Sequence, residues 1–405
     1  MGETIDPLPT RAEIETPPGV GGLTARLLAN PMLADLAARA GASFAARSGG
    51  PWRFGNTVLV ASHSQIREVL SRDLDFCIAP INARRINEVN GPFVLGMDRG
   101  AVLADERGAL YRALAAVDLS SLHDRITQAA AAKLADVEQI DVVAAYARPI
   151  AAHTASWLFG IPLTDELLFQ DVARAIFAHT FLNLSDDKAV KARALKASSL
   201  MKAWLQEEIE RRKSAKTHQN DMMDALLSDP NGLDSAGVRR TLGGMFVGSI
   251  DTTATTVAKI VFVLGHNKAL ASAVTADVND AGRLRGWCWE ALRRWPHNPI
   301  LLRQASADTS LGDVVIHAGD RIVAWTQAAM QDAAAFPAPR RLRPDRPMSA
   351  YLHFGDALHA CAGRSVNAFQ IPLLVGAIMR RGIQSVGKVA WSGPFPNHLT
   401  IKLAR

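Results

Sequence analysis

Cysteine is nearly absent: the 405 residues hold three, Cys77, Cys288 and Cys361, far apart and odd in number. Such a set builds no disulfide framework and no C-x-x-C pair, and it fits a reducing, cytoplasmic setting. Aromatic residues are scarce, at 6%, and the basic residues are scattered. The net charge of +6 and pI near 9.4 therefore come without a helix-turn-helix, zinc-finger or RNA-binding signature. They read as a docking face for an acidic protein, with no nucleic acid involved. Long apolar runs are missing too: the longest, "IPLLVGAIM" (371–379), is about half of what a membrane span needs. The amino terminus, "MGETIDPLPTRAEIETPPGVGG", is acidic and proline-rich, which argues for an extended tail over residues 1–20 and against a signal peptide. Asp6 stands where myristoylation after Gly2 would need Ser or Thr.

What is present belongs to a globular enzyme: 48% hydrophobic and 21% charged residues, with no repeat and no low-complexity linker. "GGPWRFGNTVLVAS" (49–62) predicts two short strands around a Gly-Asn turn, and "HSQIREVLSRD" a short helix. From about 120 to 290 the apolar spacing is helical. "EEIERRKSAKTHQND" (207–221) lacks an apolar face at its far end and predicts a solvated loop, in which the spacing of Glu208 and Arg211 carries no meaning. The longest helix runs from about Ser235 to His266, with Val238, Leu242, Met245, Phe246, Ile250, Val257, Ile260, Val261 and Leu264 on most of its circumference, so it should pass through the interior. After Pro296 the pattern changes to short strands over 307–325, a proline-stiffened segment over 336–347 and a last helix from just after Gly363 to near Arg381. The expected fold is mostly α with a small β portion, in one domain over 21–405.

Three constellations carry chemistry. In "HFGDALHACAGR" (353–364), Cys361 directly precedes the last helix, whose positive end favours a thiolate. A lone cysteine is more commonly a small core residue, so by itself Cys361 leaves the ligand and core readings both open. His359 and Cys361 have no second ligand pair spaced for zinc. In "VGSIDTTATT" (247–256), Asp251 and Thr252 are polar inside an apolar helix, and Thr252 can bond back to the Gly248 carbonyl. That makes either a bend filled by water or a relay for protons. In "WCWEALRRWPHNP" (287–299), Glu290 and Arg293 share a helix face, and Trp287, Trp289 and Trp295 around them suggest a buried pair.

In this order and spacing, the three segments resemble the cytochrome P450 family of haem-thiolate monooxygenases. "FGDALHACAG" is similar to the haem-binding segment F-G-x-G-x-H-x-C-x-G, "GSIDT" to the oxygen-binding helix motif, "EALR" to Glu-x-x-Arg, and "FPAPRRLRPDRP" to the meander before the haem loop. The resemblance covers nearly the whole chain and implies a single-domain triangular helical prism. It further implies haem b (iron protoporphyrin IX) as cofactor with Cys361 as the iron ligand, and O2 as co-substrate. Phe354 would pack near the sulfur, and Gly355 and Gly363 would let the loop lie under the porphyrin, with Gly248 above it on the central helix. Arg112, Arg303 and His359 would meet the propionates, and Asp251 and Thr252 would deliver protons. Glu290 and Arg293 would be structural. Three positions depart from the pattern. Ala357 replaces a glycine, so that turn must avoid positive φ or tolerate strain; Ser249 replaces another; Gly108 stands four before Arg112, where a propionate-bonding side chain is common.

The same resemblance places Phe93, Val94, Phe181, Val247, Ile300, Leu301 and Phe395 in an apolar substrate pocket, with Asn298 or Ser249 able to orient one oxygen. It implies a small or medium hydrophobic substrate, and a ferredoxin or flavodoxin with its NAD(P)H reductase as a separate electron donor, docking near Cys361 where Arg112 and Arg364 contribute charge. A peroxide-driven peroxygenase or another haem-thiolate reaction, such as isomerisation or C–C coupling, is the alternative, and the Asp251–Thr252 pair argues against it. A non-catalytic haem-binding sensor would need neither that pair nor a pocket.

Overall fold

The structure is a computed structural model that describes residues 9–15, 31–183, 185–215, 219–392 and 395–404. Its internal contacts resolve into two compact units, one of Met1–Pro17, Asn82–Asp118 and Ala151–Asp251, the other of Pro18–Ile81, Leu119–Ile150 and Thr252–Arg405.

The first unit is helical among its described residues. Asp165 starts the helix Glu166–Phe177 by accepting the N–H groups of Leu167 and Leu168, each at 3.0 Å. Phe169, Val172, Ala173 and Ile176 then form its buried face. Phe169 lies edge-on to Phe246, ring centroids 4.7 Å apart, and stacks on Trp204 at 5.9 Å. Helix Lys188–Ala215 packs along this one, and Met222–Ser228 packs on Ala101–Ala116.

Two expectations fail in this unit. Residues 207–215 are not a solvated loop: they complete the helix Lys188–Ala215, and Glu208 and Arg212 are both 4% exposed. Arg212 donates to Glu208 (2.7 Å), Asp221 (2.6 Å), Asp224 (2.8 Å) and the Gly160 carbonyl (3.1 Å), while Arg211 makes two bonds to Glu208. A charged face is buried here because its charges satisfy one another. The amino-terminal tail is not wholly extended either. Arg11–Ile14 forms one helical turn behind a Thr10–Glu13 capping box, with Ile14 fully buried and Arg11 on Asp171 at 2.5 Å.

Among its described residues the second unit has ten strands: β1 Trp52–Phe54, β2 Thr57–Val60, β3 Phe76–Cys77, β4 Gln139–Asp141, β5 Leu301–Ala305, β6 Thr309–Leu311, β7 Val314–Ile316, β8 Arg321–Ala324, β9 Ile383–Ser392 and β10 Phe395–Leu403. They form a five-stranded sheet in the order β1-β2-β8-β5-β3, a three-stranded sheet β4-β10-β9 and the hairpin β6-β7. β1 and β2 turn at Gly55 and Asn56, with Gly55 at φ +59°. The helix Arg364–Arg381 packs against Leu119–Leu134 and Ala281–Arg294. Gly286 on the latter lies so close to the irregular segment that an added Cβ would sit 2.0 Å from the Pro344 carbonyl oxygen, so only glycine fits.

The central helix, Ser235–Gly265, is unbroken through residues 248–252. It is long and apolar enough to cross a membrane, yet 67% of its most apolar window is buried inside the protein. Gly244, Met245, Gly248, Ser249, Asp251 and Thr252 keep accessible surface while Phe246, Ile250, Ala254 and Val257 are buried. At i, i+3 and i+4 spacing these residues form one open stripe on a buried helix.

Candidate active site

The loop that carries Cys361 is closed by backbone bonds: Cys361 N–H donates to the Phe354 carbonyl at 2.8 Å, Ala360 to Ala357 at 3.2 Å and Arg364 to Cys361 at 3.2 Å. Gly355 has φ +68°, the left-handed region that glycine enters at little cost. Ala357 also lies there, at φ +54°, so this turn tolerates strain where the family pattern has glycine. Asp356 steadies it by accepting the Ala357 N–H at 2.9 Å and pairing with Arg67 at 3.0 Å. Gly363 then opens the helix Arg364–Arg381.

Burial pushes the Cys361 thiol up, and the Gly363 N–H and the Arg364 charge pull it back only in part. The residue nevertheless keeps accessible surface. Phe354, Gly355, His359 and Gly363 share that intermediate exposure. Behind the loop, Phe354 lies edge-on to Trp289 (5.5 Å), and His353 stacks on Tyr351 (5.1 Å) and bonds the Trp289 carbonyl at 2.9 Å. Burial lowers His353 to about 3, so its ring is neutral and donates through Nε2 to that carbonyl.

Glu290 and Arg293 hold this wall in place. Arg293 Nη1 reaches the Met330 carbonyl (3.1 Å) and Nη2 the Arg341 carbonyl (3.2 Å). Glu290 accepts from Tyr351 Oη (2.9 Å) and from the Arg343 N–H (3.0 Å). Burial alone would raise Glu290, but the bonds from Arg293, Arg343 and Tyr351 outweigh it and hold the carboxylate below its usual range. The pair thus ties the irregular segment to the helix Ala281–Arg294 and, through Tyr351, to the cysteine loop.

The cations divide. Arg303, on β5, is 5% exposed and donates from Nη1 to the Leu302 carbonyl at 2.8 Å. His359 ends the short turn Ala357–His359. The Arg112 side chain is 52% exposed, pairs with Asp229 at 2.7 Å and bonds the Asn231 carbonyl at 3.3 Å. A Cβ at Gly108 would come within 3.1 Å of Arg112 Nη1, so the absent side chain at 108 lets the guanidinium fold along its own helix toward Asp229. Arg364 is exposed.

On the central helix, a Cβ at Gly248 would meet nothing within 4 Å. Ser249 Oγ bonds back to the Phe246 carbonyl at 2.9 Å. Asp251 pairs with Arg174 of the helix Glu166–Phe177 at 3.2 Å, with side chains 15% and 16% exposed. Sequence reasoning missed Arg174, which is 77 positions from Asp251 in a segment with no motif. At the residue after Thr252, Thr253 Oγ1 donates to Asn367 Oδ1 at 3.4 Å, and Asn367 N–H bonds the Gly363 carbonyl at 2.9 Å, which joins this helix to the start of the last one. Of the pocket residues, Phe93, Val94 and Val247 are buried in the first unit, and Phe181 is half-buried beside Phe177 at 4.9 Å. In the second unit, Ile300 is 40% exposed and Leu301 half-buried, while the Phe395 side chain lies outside the described residues.

These residues fit a haem. Cys361 keeps accessible surface just before a helix start, the loop around it carries no bulky side chain at Gly355 or Gly363, and Arg303 is a buried cation on the same unit. No group of three or more His, Cys, Asp or Glu side chains that could hold a metal occurs among the described residues.

The chain belongs to the cytochrome P450 family, whose model matches residues 165–381. It is similar to mycinamicin IV hydroxylase/epoxidase of Micromonospora griseorubida, 26% identical over 64% of this chain and 62% of that protein. It is also similar to cyclooctat-9-en-7-ol 5-monooxygenase of Streptomyces melanosporofaciens, 28% identical over 42% of this chain and 43% of that one. The chain thus spans less than two thirds of the length of these curated relatives. Among solved structures it resembles CalO2 (TM-score 0.80, 17% identity, 96% of this chain and 99% of that one). It also resembles the open cytochrome P450 EryK from S. erythraea (TM-score 0.76, 22% identity, 91% and 96%), so the fold is the cytochrome P450 fold.

Proposed function

We propose that the protein is a haem-dependent monooxygenase that inserts one oxygen atom of O2 into a small or medium hydrophobic molecule. The observation that carries this is the Cys361 loop: a thiol at a helix start, enclosed yet accessible, backed by a wall that Glu290 and Arg293 lock. The names of the relatives, a hydroxylase/epoxidase, a monooxygenase and an N-oxygenase, agree with it. Bound there, haem b would supply the iron centre at which dioxygen is reduced.

The chain's own residues do the rest. Cys361 would hold the iron, and Arg303 and His359 would neutralise the propionates, which need cationic partners away from bulk water. The Thr252 hydroxyl holds and passes protons, and Asp251, oriented by Arg174, resupplies them. Val247 and the buried Phe93 and Val94 keep the substrate side dry. Electrons come from a ferredoxin- or flavodoxin-type protein and its NAD(P)H reductase, met by exposed basic groups such as Arg364. A cytoplasmic location agrees with three free thiols.

The test compares turnover of a bound hydrophobic substrate with NAD(P)H, reductase and ferredoxin against turnover with hydrogen peroxide alone. Product with the electron-transfer system that is lost in Thr252→Ala supports the reading. Product only with peroxide, unchanged in Thr252→Ala, overturns it.

A further inference from the structure

The turn after Thr252 is more polar than a buried helix needs. Thr255 and Lys259 lie on one face, four residues apart, and are 2% and 3% exposed. Thr255 Oγ1 donates to the Thr252 carbonyl at 3.3 Å and lies 2.9 Å from His297 Nδ1. Lys259 Nζ donates to the carbonyls of Pro296 (2.8 Å) and His297 (3.5 Å) and stands 5.2 Å from the Trp295 ring. Trp295 is itself packed between Phe262 (5.3 Å) and Trp391 of β9 (5.4 Å).

A threonine hydroxyl has one proton, so where Thr255 donates it to the Thr252 carbonyl it accepts from an Nδ1–H of His297. His297 can hold that tautomer because burial and the nearby Lys259 lower it to about 3, leaving the ring neutral. Lys259 in turn pins the Pro296–His297 backbone that aims the ring. Burying a lysine costs far more than burying Leu or Met at the same place. A packed helix has no use for that cost unless these contacts serve something beyond packing.

We infer that Thr255, His297 and Lys259 are positioning residues that clamp the turn of the central helix carrying Thr252, and so set where its hydroxyl sits for proton delivery. This rests on the reading of Thr252 as the proton-passing group. Asp251 restrains the same turn from the preceding residue through Arg174, so Thr252 is held from both sides along the helix.

The experiment uses the haem-loaded protein and two readouts: the fraction of NAD(P)H electrons that reach product, and amide hydrogen exchange over residues 252–259. Thr255→Val, which trades one hydroxyl for a methyl, and His297→Phe should each lower the first and speed the second roughly three- to tenfold, the scale of one neutral hydrogen bond. Exchange in the helix Ala281–Arg294 should stay unchanged. Thr255→Ser and His297→Asn, which keep a hydroxyl and an N–H donor, should restore both. If Thr252→Ala uncouples electron flow but Thr255→Val and His297→Phe match the native protein in both readouts, the clamp is wrong. If Thr252→Ala itself changes nothing, the reading of Thr252 fails, and native-like exchange in Thr255→Val then overturns the clamp separately. Should His297→Phe not accumulate with haem, Thr255→Val and His297→Asn carry the test.

Discussion

Arg293 meets Glu290 through two parallel hydrogen bonds, Nε to Oε1 at 2.7 Å and Nη2 to Oε2 at 2.9 Å, and neither side chain is exposed at all. Removing Arg293 leaves the buried Glu290 with only Arg346, at 3.2 Å, as its cation and strips it of both parallel bonds. Arg293→Ala is therefore expected to destabilise the protein by roughly 3–5 kcal/mol, read by denaturant unfolding. Arg293→Lys should rescue little, since an ammonium cannot reproduce the fork that reaches Glu290, Met330 and Arg341 together.

Ala357, at φ +54°, stores strain that glycine would release. Ala357→Gly should raise stability by about 0.5–1 kcal/mol, the strain relieved exceeding the entropy lost. Gly355→Ala should lower it, because φ +68° is strained for alanine although a Cβ there would meet its nearest atom at an ordinary 3.6 Å. Paired thermal melts of the two variants read both signs.

Arg212 gathers Glu208, Asp221 and Asp224 in the interior of the first unit. Arg212→Met should cost about 3 kcal/mol or more, by leaving the buried carboxylates of Asp221 and Asp224 without their cation. A variant that unfolds at the same denaturant concentration as the native protein would show that the network is solvated.

Acid should weaken the fold through His297. Burial lowers it to about 3 from 6.5, so below pH 6.5 the unfolded chain takes up a proton that the native state refuses. Stability is lost as pH falls from 6.5 toward about 3. Lys259, lowered by burial to about 7 from 10.5, gives a second slope: the unfolded chain is the more protonated state between these values, so stability rises with pH from about 7 to 10.5. Lys259→Met should remove the upper slope, measured as unfolding free energy against pH.

Much of the fold is legible in the sequence because its signals are local. The Gly55-Asn56 turn, the helix opening after Gly363 and the i, i+3 spacing of Glu290 and Arg293 each need only neighbouring residues. What escapes is set by partners that arrive from afar. Arg112 turns to Asp229, Asp251 to Arg174, and Arg212 to Asp221, and no spacing rule connects those segments. The charge-rich stretch 207–215 misleads for the same reason: counting charges cannot show that they neutralise each other inside. Lys259 did leave a trace, the single charged residue of the central helix between Thr252 and Gly265.

The central claim is that Cys361 is held as a thiolate ligand and is not a core thiol. The direct measurement is the carbon monoxide difference spectrum of the reduced, haem-loaded protein beside that of Cys361→Ala. The account predicts the thiolate-type spectrum in the native protein and its loss in the variant. Absence of that spectrum from the native protein, or its survival in Cys361→Ala, would contradict it.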